Sequence, residues 1–221
     1  MSYQPSQGPD RRLLSPRAEP ARGLMSAAII VAAVFAAREV VEAGLSWPAQ
    51  DHMAVVANTD ATNVFVTLYD LVNLLWLPTL IGAYVVTCRW LYRVRVNAEI
   101  LNPDVHYGRR RWWVWAGWVV PFVNLGMPYE IVRDASKDPH NKPTAPRINA
   151  WWTCLLLAFF IDCLGVSAIS IQADAAVDEA YADLGLVQTA NAVLYVVALV
   201  LWIRIIRRID RLQNELMVAA R

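Results

Sequence analysis

Four stretches of this sequence stay apolar for about the length of a membrane helix: Leu24–Leu45, Val64–Cys88, Ala150–Ile171 and Leu186–Ile206. No other feature restricts the fold as strongly. At 1.5 Å per residue, about 20 helical residues cross the roughly 30 Å hydrocarbon core of a bilayer. Composition agrees. The chain is 57 % hydrophobic and 18 % charged, where soluble domains sit nearer about 45–50 % and 25 %. The excess is concentrated in the long runs rather than spread along the chain.

A fifth segment, Trp112–Met127, is shorter and carries Pro121 at its centre. As a helix of its length it would reach only about 24 Å, and the proline removes a backbone hydrogen bond. The distribution of lysine and arginine decides whether it crosses. The chain has 20 of them. With a crossing at Trp112–Met127, ten fall on one side of the membrane and nine on the other. Without it, nineteen fall on one side and none on the other, Arg38 alone lying inside a span. Basic residues near spans stay on the cytoplasmic side, so the four-span arrangement is expected. The fold class is then an all-α integral membrane protein. Its four transmembrane helices form two hairpins, joined by a Trp-rich cytoplasmic connector (89–149) whose segment 112–127 is re-entrant or interfacial. Both termini are cytoplasmic.

The flanking regions follow. Residues 1–23 are rich in Pro, Ser and Arg and read as a disordered cytoplasmic tail. The membrane domain covers 24–206. The Ala-rich AAVFAA resembles a cleavage site, but the leading region is long and the helical pattern continues through REVVEAGL, so an uncleaved first span is expected. The second span runs on as a helix until Asn102-Pro103 stops it. The fourth continues as a cytoplasmic amphipathic extension, 207–221. There Trp202, Ile205, Ile209, Leu212 and Leu216 make a 3-4 spaced stripe, read as packing within the same protein rather than as a coiled coil. Arg204, Arg207, Arg208 and Arg211 face anionic headgroups. Trp90 and Trp202 each precede arginines, a pattern that an internal repeat or positive-inside flanking alone would produce. Cys88, Cys154 and Cys163 are odd in number, lie in apolar runs and read as buried small hydrophobes.

Charges at membrane depth cost about 2.5–3.5 kcal/mol each at a helix centre and are functional candidates by default. Here they are Arg38, Glu39, Glu42, Asp70, Asn73, Asp162 and Asn191, most of them in the outer half of their spans. Arg38 and Glu42 share a helix face, and Arg38 and Asp70 sit at similar depth, so a pair between them is expected. The cluster reads either as a polar lock holding four helices in register or as a site for an ion, proton or small solute. Asn124 is the natural donor and acceptor for backbone freed by Pro121, and Pro128 suits the first turn of a following helix.

The pattern GWVVPFVNLGMPYEIVRDAS, through Trp118, Pro121, Asn124, Leu125, Pro128 and Tyr129, resembles the core signature of a family of uncharacterised bacterial multi-span membrane proteins, a domain of unknown function. Upstream, YRVRVNAE (Tyr92, Arg93, Arg95, Asn97, Ala98) is similar to that family's segment at the end of a span. Downstream, Trp151-Trp152 opens the next span in a similar way. Gly126 departs from the pattern, where a bulkier residue is expected. The resemblance covers roughly 64–206. It implies a multi-span protein of a bacterial cytoplasmic membrane and no particular activity.

No GxSxG, HExxH, GxxxxGK[ST], GxGxxG or CxxCH motif is present. His52, His106 and His140 fall in separate loops. No catalytic residue, cofactor or metal ligand is expected. Two function classes stay open: a non-enzymatic scaffold or accessory protein, and a small transporter or channel using the polar cluster. An intramembrane or lipid-modifying enzyme is weaker, since no nucleophile and base pair up. The expected partners are the bilayer, its anionic headgroups, and a second copy or another membrane protein; nucleic acid is not expected.

Overall fold

A computed structural model describes residues 18–58, 67–105, 107–172 and 184–219, with side chains outside 50–58 and 165–172. The start of the tail (1–17), most of both outer loops (59–66 and 173–183), His106 and the side chain of His52 lie outside the described residues.

The described chain is helical: α1 (Arg22–Asn58), α2 (Leu68–Leu74), α3 (Trp76–Leu101), α4 (Trp113–Ala116), α5 (Met127–Ala135), α6 (Ile148–Gln172) and α7 (Leu184–Ala219), with a 3-10 turn at Val123–Leu125. Three stretches, Arg22–Ala49, Leu68–Leu101 and Leu184–Ala219, are long and apolar enough to cross a membrane. α6 is helical over 25 residues, and its apolar part with described side chains is Ile148–Leu164.

Two boundaries differ from the sequence reading. α1 does not end near Leu45; it continues through Pro48 to Asn58, so the first outer loop begins as helix. The second span is broken at its outer end. Thr67 and Asp70 form a reciprocal capping box at the start of α2, and Leu75 separates α2 from α3 by a tight turn in which its N–H reaches the Val72 carbonyl at 3.1 Å. The other ends follow the sequence. α3 stops at Asn102, before Pro103, and Pro128 lies in the first turn of α5.

The long helices pack in the order α3, α1, α7, α6. Both expected hairpins pack, but the broadest contact is between α1 and α7, which joins them. Ala28, Ala36 and Ala43 on α1 and Ala192 and Ala198 on α7 are buried. Small side chains let helix backbones approach closely, which matters in lipid, where association rests on packing rather than on expelling water. α5 packs against both α3 and α6. Large apolar side chains left exposed, including Leu74, Leu77, Ile81, Phe160 and Leu164, form the outer surface of the long helices.

Residues 18–21 correct the picture of a wholly loose tail: Ala21 is buried, and Glu19 is fixed through its backbone to Asn97. The apolar stripe on α7 packs internally. Trp202, Ile205, Ile209 and Leu212 are buried, Ile205 and Ile209 completely. Of the cysteines, Cys88 is buried, whereas Cys163 is exposed on the apolar exterior of α6 rather than buried.

The segment 112–127 is a folded-back loop: α4, a turn through Gly117, an apolar tip at Val119–Phe122, and the 3-10 turn. Gly117 is needed for close approach. A Cβ there would lie 2.6 Å from Met127 Cγ and 2.8 Å from the Trp113 carbonyl oxygen. Gly126 is different, since a Cβ there meets nothing within 4 Å. Gly117→Ala should destabilise the protein by about 1–3 kcal/mol, the usual range for overpacking, lowering its melting temperature in detergent. Gly126→Ala should not. Equal melting of the two variants would contradict the tight packing.

Candidate functional site

Two groups of polar residues stand out, one in the outer half of the long helices and one where α3, α5, α6 and α7 meet.

In the outer group, one turn of α1 carries Arg38, Glu39 and Glu42, whose side chains are at most 5 % exposed. One guanidinium nitrogen of Arg38 donates to Glu39 and the other to Glu42. Asn73 Nδ2 donates to the second oxygen of Glu42 at 2.9 Å, so α2 is tied to α1. On the other side, Asn191 Nδ2 donates to Asp162 Oδ1 at 2.5 Å and the Tyr195 hydroxyl to Asp162 Oδ2 at 3.2 Å, which ties α7 to α6. Phe35 joins the two halves. Its ring lies 5.6 Å from the Arg38 guanidinium and meets the Tyr195 ring edge-on at 5.2 Å.

The expected Arg38–Asp70 pair does not form. Asp70 accepts from the N–H and hydroxyl of Thr67 at 2.8 and 2.6 Å and serves as a helix cap. Spacing along a helix does not say which way a side chain turns around it. Tyr195 is the member that sequence reading missed. Its signal was available: it follows Asn191 by four residues and so shares its face.

The inner group is built on tryptophan. The Trp151 ring stacks on Trp202 with centroids 4.9 Å apart, and Trp90 meets Trp202 edge-on at 5.6 Å. Trp152 touches Trp151 at 5.5 Å and Trp118 at 6.2 Å. Five indoles thus link α3, α7, α6 and the connector, each pair worth about 0.5–1.5 kcal/mol beyond area burial. Trp90, Trp151 and Trp202 are buried and so line the core rather than a lipid-facing belt.

Neighbouring helices cap the connector's backbone. The Tyr84 hydroxyl donates to the Trp115 carbonyl at 3.0 Å, the Cys88 thiol to Val114 at 3.2 Å and the Trp152 indole to Leu125 at 2.8 Å. That work was expected of Asn124, whose backbone N–H bonds to Val120 within the loop at 3.0 Å. Pro121 and Phe122 form the tip. Phe122 adopts φ 63° and is 87 % exposed, an arrangement that costs about 1–3 kcal/mol and persists only where the surrounding structure enforces it. Tyr129 anchors the far side, its hydroxyl donating to Asn149 at 2.8 Å.

Arg95 and Asn97, on the last turns of α3, organise the rest. Arg95 is buried. It donates to Glu99 at 2.7 Å and to the Arg109 carbonyl at 2.9 Å, and it lies 4.2 Å from the centre of the Tyr107 ring. Burial raises the Glu99 carboxyl, but hydrogen bonds from Arg111 and Arg95 outweigh it and hold the group below its ordinary range. Burial pushes the Tyr107 phenol up. Asn97 Nδ2 donates to the Glu19 carbonyl at 2.7 Å and to Gln213 Oε1 at 3.2 Å, while Gln213 Nε2 donates to the Val94 carbonyl at 2.7 Å. One asparagine therefore clamps the tail, α3 and α7. Gln213 was missed in the sequence, although a glutamine beside Leu212 in an apolar stripe is the kind of irregularity that marks such a contact.

Breaking a buried ion pair from one side leaves uncompensated charge and costs about 3–5 kcal/mol. Arg38→Ala should therefore lower both folded yield and melting temperature, and Arg38→Ala combined with Glu39→Gln and Glu42→Gln should recover much of the loss. A normal yield and melting curve for Arg38→Ala would contradict a structural role.

Neither the curated proteins nor the solved structures include one that matches this chain. A family described as Domain of unknown function (DUF4328) matches residues 53–211. That range takes in α2 through most of α7 and the whole connector, and so both polar groups apart from the Arg38 turn, Glu19 and Gln213. By this match the chain belongs to the DUF4328 family.

Proposed function

We propose that this chain is a non-enzymatic scaffold or accessory protein of a bacterial cytoplasmic membrane. In this reading it crosses four times, with α6 as the third span, and both termini and the connector are cytoplasmic. The connector is a shallow re-entrant loop: α4 lies beside Tyr84 and Cys88, at the inner end of the second apolar run, and the apolar tip Val119–Phe122 reaches lipid.

One observation carries the reading. Arg38, Glu39 and Glu42 are buried and paired with one another, and the half-buried Asp162 is held by Asn191 and Tyr195, which suits a lock between helices better than a path for solute. What the fold then displays is its cytoplasmic face: a connector held rigidly by five tryptophans and the Arg95 and Asn97 clamps, beside the basic end of α7. Such a surface suits contact with a second copy or another membrane protein.

A transporter remains the second reading, for one reason. Three carboxylates (Glu39, Glu42, Asp162) stand in the cluster with one guanidinium, which bonds only to Glu39 and Glu42, and the Asn191 carbonyl oxygen is buried with no hydrogen-bond partner among the described residues. Proteoliposomes separate the two. The scaffold reading predicts that an imposed pH or cation gradient decays at the rate of protein-free vesicles. Protein-dependent decay that Asp162→Asn abolishes would contradict it and favour transport.

A further inference from the structure

The inner end of α3 borders a groove of about 440 Å³ lined by Leu24, Arg89, Tyr92, Arg93, Val96 and Trp115. Arg89, Tyr92, Arg93 and Val96 lie three, four and seven residues apart along one helix and so share a face. Leu24 comes from the first turns of α1. Trp115 comes from the connector, where its carbonyl is held by Tyr84, so it borders the groove from the membrane side. The walls are thus fixed by contacts that do not involve an occupant.

The charge is only partly neutralised. Arg93 pairs with Glu19 yet remains 40 % exposed at its side chain. Arg89 is exposed and has no carboxylate partner among the described residues. It directly follows Cys88, where the apolar run of the second span ends.

We propose that this groove is a specific site for the phosphate group of an anionic phospholipid in the inner leaflet. Arg89 and Arg93, one helical turn apart, offer N–H donors to a tetrahedral oxyanion; guanidinium recognises phosphate through several directed hydrogen bonds rather than as a point charge. Trp115 and Leu24 supply apolar contact for the glycerol region. An indole and a tyrosine beside two arginines at the polar–apolar boundary match a headgroup, which is charged at one end and apolar at the other. The groove opens alongside the apolar surface of α3, so a lipid reaches it laterally. The proposal rests on the membrane reading above and adds a site that diffuse attraction between a basic surface and an anionic leaflet does not require.

Native mass spectrometry of the full-length protein in detergent tests it, with phosphatidylglycerol or phosphatidylcholine added at equal concentration. One phosphatidylglycerol per chain should be retained in clear preference to phosphatidylcholine. Arg89→Gln should reduce that occupancy several-fold, and Arg89→Lys should restore part of it. Arg207→Gln, an exposed basic change on α7 outside the groove, should leave it unchanged. Equal losses from Arg89→Gln and Arg207→Gln would mean diffuse electrostatics and overturn the site, as would equal retention of the two lipids. Complete displacement by excess inorganic phosphate would overturn a lipid as the occupant. Arg89 is exposed, so its substitution should leave folding intact, and an unchanged melting curve verifies this. Binding in detergent does not depend on which side of the membrane the groove faces, so a negative result here leaves the four-span arrangement standing.

Discussion

Trp202 sits between two other indoles, stacked on Trp151 from α6 and edge-on to Trp90 from α3. The rest of the inner half depends on that contact. α3 and α6 lie at opposite ends of the helix array, and this layer joins both to α7, beside the Gln213 bonds that also tie α7 to α3. With it, Trp152 is placed to hold the Leu125 carbonyl and Trp118, so the connector has a fixed floor to fold back on. α5 then fills the space between α3 and α6.

The two polar groups work differently because their surroundings differ. The outer one satisfies charge with charge. Burying an ion pair is costly, so its net stabilisation is small, but its partial loss is not tolerated. What it supplies is register: Asn73 ties α2 to α1, and Asn191 and Tyr195 tie α7 to α6. The inner group combines the Arg95–Glu99 ion pair with neutral clamps. Asn97 joins segments distant in sequence, the tail at Glu19 and α7 at Gln213, through uncharged hydrogen bonds beside a packed aromatic layer.

Much of this was legible in the sequence, and the limits have physical causes. Long apolar runs marked the long helices because a continuous apolar stretch reads directly from the sequence. Asn102-Pro103 and Pro128 marked helix ends because proline acts locally. What was not legible depends on direction around a helix or on partners far along the chain. Asp70 turned to Thr67 instead of Arg38. Tyr84, Cys88 and Trp152, not Asn124, cap the folded-back loop. The first apolar run ends near Leu45, but α1 continues to Asn58.

The central claim is that the connector enters and leaves on one face of the membrane. Gly108 and His140 are exposed on either side of the loop in sequence and serve as reporters. In a background with the three native cysteines replaced by alanine, Gly108→Cys and His140→Cys should both react with a membrane-impermeant thiol reagent in inside-out vesicles and neither in right-side-out vesicles. Labelling of the two positions from opposite faces would mean that Trp112–Met127 crosses the bilayer, and the four-span account would fail.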